Sequence, residues 1–327
     1  MVNRREFTQQ VVGILPVYVS LTEAANAAQA PQQGAQPGPP QGAPGGRGRQ
    51  TGPPDPFAGS PVGAPLPGQK WLVHDHSRPQ PRKVRPGHPI PTMSAPSDAI
   101  VLFDGKDLSE HWVAAAFGGR GRGGPGAGAP GAPPAAHPAA PPAPPAPVAP
   151  TWNIVDGHAE MRGGINTKES FGDIQLHVEW TNPPVNDPNR VGQQRGNSGV
   201  VFMGRYEVQV LSGYDNITYA DGGAAAIYGV YPPMVNPCMP EGEWNTFDFV
   251  FEAPKFDGEK LAKPAFLTLF FNGVMVHNRA QFLGATAHEP LAVYTPHAAE
   301  LPFQLQGHVG PAWYRNVWVR RILGYDA

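Results

Sequence analysis

Two strand-like stretches near the middle and end of the chain carry the side chains best suited to chemistry. In "YEVQVL", Glu207 and Gln209 alternate with Tyr206, Val208 and Val210, and in "FQLQGH" Gln304, Gln306 and His308 alternate with Phe303, Leu305 and Gly307. Successive side chains of a strand face opposite sides of a sheet, so each stretch has one apolar face and one bearing amide, carboxylate or imidazole groups. "YRNVWVRRI" adds Arg315, and "DIQLHVEW" sets Gln175, His177 and Glu179 against Ile174, Leu176, Val178 and Trp180. An ordinary solvated face is mostly Lys, Glu, Thr and Ser. Amides and guanidinium groups are planar and hydrogen-bond in pairs, which suits a hydroxyl-rich ligand such as a sugar. Asn197 and Tyr228 join the candidate binding set, the tyrosine as a ring to stack on a sugar.

The elements that must position these groups are short strands. "SGVVFM", "TFDFVFEA" and "AFLTLFFNGVMVHN" extend the series, and no segment keeps a helical period. Asn272-Gly273 and Asp156-Gly157 each sit between β-rich flanks, as two-residue hairpin turns do. Many short strands with regular turns predict an all-β sandwich or barrel, with the apolar faces packed together and the polar faces outward.

Composition limits how much of the 327 residues can fold this way. The 42 Pro and 40 Gly concentrate in runs with little to bury, which predicts disorder over residues 31–70 and in the insert 118–150. Residues 71–97 read as an extended arm; His74, Asp75 and His76 in "VHDH" are a metal-ligand pattern without a fourth ligand nearby. Residues 98–327 form the folded domain. A net charge of −2 and the absence of Lys/Arg runs argue against nucleic acid as a partner. The single cysteine, Cys238, rules out an intrachain disulfide framework. No apolar run reaches the roughly 20 residues that span a bilayer. At the amino terminus, "NRREF", a mild apolar centre and Ala25-Asn26-Ala27 have the layout of a twin-arginine export signal over residues 1–30, which predicts a periplasmic or extracellular protein.

"SDAIVLFDGKDLSEHW", "GNSGVVFMGRYEVQVL", "GEWNTFDFVF", "FFNGVMVHN" and "FQLQGHVGPAWYRNVWVRRI", in that order, resemble the 3-keto-disaccharide hydrolase domain, formerly a domain of unknown function. The resemblance covers about residues 97–324 apart from the insert. It implies a concanavalin A-like jelly roll of two antiparallel sheets in an exported, carbohydrate-active protein. Family motifs map to Asn197–Gly199, Tyr206–Gln209, Leu305–His308 and Tyr314–Asn316, and Tyr228 ends the segment "GAAAIYG". The departures are Tyr314, where the family more often has Phe, and the long Pro/Ala insert.

Ordinary glycosidases flank the scissile bond with two carboxylates. The strand at Glu207 carries one, so a second would come from Glu179 or Glu243. A 3-keto sugar relaxes that demand, because the carbonyl acidifies the C2 proton. One base then removes it, the C1 substituent leaves, and water adds to the enone. On this expectation Glu207 and His308 act as base and acid, while Arg315 or a bound divalent cation stabilises the enolate. Asn197, Gln209, Tyr228, Gln304, Gln306, Glu179 and His177 hold the sugar. The competing expectations are a lectin-like carbohydrate-binding module of the cell envelope and an interaction protein using its Pro-rich arms.

Overall fold

Alternation between core-facing and outward side chains sets the architecture seen in the structure, a computed structural model. It describes residues 53–87, 92–115, 147–288, 290–308 and 310–324. The expected export signal, most of the expected linker and the insert from 118 to 146 lie outside the described residues.

In chain order the strands are β1 (Arg82–Lys83), β2 (Ile100–Phe103), β3 (Trp112–Ala114), β4 (Asn153–Val155) and β5 (His158–Glu160). There follow β6 (Ile165–Thr167), β7 (Ile174–Thr181), β8 (Ser198–Phe202), β9 (Tyr206–Val210) and β10 (Val235–Asn236). The last are β11 (Asn245–Glu252), β12 (Lys255–Asp257), β13 (Lys260–Lys263), β14 (Phe266–Phe271), β15 (Val274–Gln281), β16 (Gln304–Gly307) and β17 (Trp313–Arg321). They form a large antiparallel sheet, ordered β15-β14-β11-β7-β17-β5-β4 with β2 also on β17, and a five-stranded one, β3-β6-β16-β8-β9. The expected all-β, two-sheet antiparallel sandwich is the fold. Among the described residues, no helix is long and apolar enough to cross a bilayer.

The two sheets meet through their apolar faces. β11 sends Phe247, Phe249 and Phe251 inward, all fully buried, and Phe202 of β8 stacks on Phe251 with ring centroids 4.4 Å apart. Truncating such a ring leaves a cavity and costs about 3–5 kcal/mol. Tyr314 of β17 reaches across the core to Ser198 of β8, with hydroxyls 2.6 Å apart. Both expected hairpin turns form, with φ of 46° and 78° at Asp156-Gly157 and 51° and 74° at Asn272-Gly273. Asn, Asp and Gly tolerate this left-handed backbone, which matches the twist of the flanking strands.

The spacer expected over residues 31–70 ends sooner than its composition implied. Pro65 bridges Leu72, Gly63 N–H donates to Val73 O at 2.7 Å, and Leu66 and Val73 are 2% exposed. A few apolar anchors order this Pro-rich stretch, since Pro has little backbone freedom left to lose. The segment then lies on the domain: Gln69 Nε2 and Arg78 Nη1 donate to Val230 O, and Gln80 Nε2 to Thr218 O. β1 finally pairs in parallel with β10.

Candidate active site

The outer face of the five-stranded sheet gathers the amides and the carboxylate picked out by alternation. Register aligns Gln304, Val201 and Glu207 in one row and Gln306, Gly199 and Gln209 in the next. The row through Glu207 continues off the sheet edge. Val208 bridges Ile227, and Tyr228 N–H donates to Glu207 O at 3.2 Å, so Tyr228 stands beside Glu207 on the same face. Gly199 makes room for the Glu207 side chain, which packs over it. A Cβ there would lie 2.6 Å from Glu207 Oε1, so the carboxylate leans over the space where a larger residue would stand.

Glu207 is 3% exposed and Gln209 1%. Gln209 Nε2 donates to Gln193 Oε1 at 2.9 Å, and Asn197 Nδ2 donates to the same oxygen at 2.9 Å. Gln209 Oε1 is buried with no hydrogen-bond partner. Gln304 and Gln306 are half-buried, and Gln304 Nε2 donates to Asn166 Oδ1 at 3.1 Å. The result is a carboxylate and several amides around a glycine floor.

Above Glu207 stand two tyrosines, with the hydroxyls of Tyr219 and Tyr228 2.6 Å apart. Burial pushes the Tyr219 phenol up to about 12, although its hydrogen bonds to Tyr228 and Ser60 work against the rise. Tyr228 is driven up further, first by burial and then by Tyr219 and the Glu207 charge. It therefore keeps its proton at neutral pH. Behind Tyr219 sit the fully buried His74 and Asp221.

The other expected site residues do not join this face. Arg315 of β17 pairs in register with Glu179 of β7, on the outer face of the other sheet. Stacked sheets are about 10 Å apart, so the whole core separates Arg315 from Glu207. Its guanidinium is committed locally, with Nε 2.6 Å from Glu179 Oε2 and the group over the Trp244 ring at 4.1 Å. His177 shares that face, its Nδ1 2.6 Å from Asp248 Oδ1 and its Nε2 3.5 Å from Glu179 Oε1. Arg315, Glu179 and His177 are therefore not brought together with Glu207, against the expectation that they share its face. Strand alternation gave them a polar face but could not say which sheet it belonged to. His308 is exposed and lies past the end of β16, on the side of the sandwich that carries Gln306.

The "VHDH" histidines diverge. His76 Nε2 lies 2.8 Å from Ser60 O and its ring stacks on Phe57, while His74 turns into the domain. Among the described residues, no group of three or more His, Cys, Asp or Glu is arranged to hold a metal ion. Sequence reasoning passed over Tyr219, Asp221 and Gln193 and weighed His74 only as a ligand. The one available signal was "YADGGAAAIYG", two tyrosines bracketing a stretch too small to pack by itself.

Fold and face together define a two-sheet sandwich with an outer surface built of amides, a carboxylate and phenols. The chain belongs to the carbohydrate-active family of 3-keto-alpha-glucoside-1,2-lyase-like domains, which it matches over residues 98–320. It is similar to a solved "putative glycosyl hydrolase" from Parabacteroides distasonis ATCC 8503, with 32% identity and a TM-score of 0.58, covering 79% of this chain and all of that one. Weaker likenesses include carbohydrate-binding module CBM66 from Bacillus subtilis, with 16% identity and a TM-score of 0.30 over 52% of this chain and 91% of that one. Alginate lyase Aly36B, crystallised as a mutant with an alginate tetrasaccharide, shows 12% identity and a TM-score of 0.31 over 52% and 85%. A search of curated proteins found no match.

Proposed function

We propose that the outer face of the five-stranded sheet binds a 3-keto glycoside and cleaves it by elimination across C1 and C2, followed by hydration. The observation supporting this reading is the pairing of Glu207 with Tyr228, with the Glu207 carboxylate packed over Gly199. Glu207 takes the C2 proton, and the C2–H electron pair becomes the C1=C2 double bond. The C1–O pair leaves with the aglycone oxygen, which takes the Tyr228 proton. The products are an unsaturated 3-ketone and a free alcohol. Water then adds across the double bond, hydroxyl to C1 and hydrogen to C2, while Glu207 and Tyr228 return to their starting protonation states.

Proton transfer is most efficient between groups of matched pKa. Burial, Tyr219 and the Glu207 charge all push the Tyr228 phenol up, so it stays protonated and available to the leaving oxygen. Its hydrogen bond to Tyr219 steadies it. Gln209, Asn197, Gln304 and Gln306 supply donors and acceptors for sugar hydroxyls, and the unpartnered Gln209 Oε1 is a ready acceptor. The family's lyase-like description accords with the elimination half.

The test is to incubate the protein with 3-keto-trehalose or 3-keto-lactose and follow both the near-ultraviolet absorbance of an enone and release of monosaccharide. Glu207→Gln should slow turnover about a thousandfold, within the range for loss of a general base. Undiminished cleavage by that variant would remove Glu207 from the mechanism. Tight binding of unoxidised disaccharides without turnover would instead make the face a lectin-like module.

A further inference from the structure

Residues 53–87 precede the part of the chain that matches the family, yet they carry His74 into the candidate site. Three features of that histidine are costly for a purely structural residue. It is fully buried, and neither ring nitrogen has a hydrogen-bond partner. Its φ is +56°, a backbone conformation unfavourable for a side chain of this size. Its nearest carboxylate, Asp221, is also fully buried; Oδ2 accepts from the His74 backbone N–H at 3.0 Å, while Oδ1 has no hydrogen-bond partner and lies 3.6 Å from His74 Nδ1.

Among the described residues, the two other histidines buried as deeply have partners, although the half-buried His158 also has an unpartnered Nε2. His277 Nε2 lies 2.8 Å from Ala225 O, and His177 has a carboxylate at each ring nitrogen. An unpaired buried polar group costs about 1–3 kcal/mol, and backbone strain adds to it. Such costs persist where the arrangement does something besides folding the chain. Around His74 are the rings of Tyr219 at 4.0 Å, Tyr228 at 5.1 Å and His288 at 5.3 Å, between centroids. The same segment brings Ser60 to the Tyr219 hydroxyl.

Resting on the reading of Glu207 and Tyr228 above, we propose that residues 53–87 are an integral wall of the active site, in which His74, oriented by Asp221, is a positioning residue for the Tyr219–Tyr228 pair. The domain matched by the family is then incomplete as a catalyst without the segment that precedes it. Asp221 anchors the His74 backbone N–H, the imidazole packs at a tilt against the Tyr219 ring, and Tyr219 holds the Tyr228 hydroxyl toward the substrate.

The decisive variant is His74→Phe in the full chain. It keeps an aromatic ring against Tyr219 and removes both unpaired nitrogens, so the melting temperature should be equal to or above that of the wild type. Turnover of 3-keto-trehalose should nonetheless fall by roughly tenfold or more in kcat with KM little changed, the signature of a contact used only in the transition state. Asp221→Asn should lower kcat comparably, and the double variant no further. A lower melting temperature for His74→Phe, or an unchanged kcat, would overturn the proposal. If Glu207→Gln is fully active while His74→Phe is impaired, the assignment of the base fails and the positioning role stands. If the wild type does not turn over 3-keto-trehalose, the positioning role fails together with the reading it rests on.

Discussion

Each sheet of the sandwich carries a buried carboxylate on its outer face, and the two are treated in opposite ways. Glu179 is closed in: Arg315 and Asn316 each reach one of its oxygens, His177 lies between it and Asp248, and Trp318 stacks on the imidazole. Glu207 instead packs over Gly199, near an amide oxygen, an imidazole and a second carboxylate that have unmet hydrogen-bonding capacity. Buried polar groups are normally paired. A complete network accounts for itself as structure. An incomplete one, held in place by strain, points to a ligand.

The sharpest way to break this contrast is to remove one carboxylate from each face. Glu207→Gln is expected to lose about 1,000-fold in turnover while its melting temperature stays close to wild type. Glu179→Gln should do the reverse. Stranding a buried ion-pair network costs about 3 kcal/mol, read as a lower denaturation midpoint, while kcat on a 3-keto disaccharide is unchanged. If both variants lose activity alike, the two faces are not functionally distinct.

The closed network also predicts a pH response. Burial alone would lower the His177 pKa, but Asp248 and Glu179 outweigh it and raise the group from 6.5 to about 9. A group whose pKa rises on folding stabilises fully below its unfolded value and loses that contribution as pH passes its folded value. Stability should therefore decline between about pH 6.5 and 9, by on the order of 3 kcal/mol from this group. His177→Gln should flatten that limb in urea titrations across the range, and an unaltered limb would put its origin elsewhere.

The smallest expected effect tests the open face itself. Gly199→Ala should move the Glu207 carboxylate, because the new methyl carbon would stand 2.6 Å from Oε1. A displaced base costs turnover on the order of tenfold with only a modest change in stability. Normal kinetics in this variant would mean that the position of the Glu207 carboxylate over Gly199 does not matter to turnover.

Much of this was legible in the sequence, and the failures have a common cause. Period-two alternation put Glu207, Gln209, Gln304 and Gln306 on one kind of face and their apolar neighbours in the core, as observed. The same rule grouped Arg315, His177 and Glu179 with them, because a strand's pattern reports that one side is polar without reporting the sheet it joins. His74 was hidden for a different reason. Its distance of 147 residues from Asp221 and its left-handed backbone leave no local pattern.

By itself, then, the order of residues determined the strands and the hairpin turns, which depend on local sterics and on which side chains avoid water, while its motifs carried the family resemblance that implied two sheets. Only the tertiary structure decided which polar faces coincide and that a segment ahead of the domain packs His74 against Tyr219 and Tyr228. Strand register and long-range closure arise from packing between distant parts of the chain, and no short window of sequence contains that information.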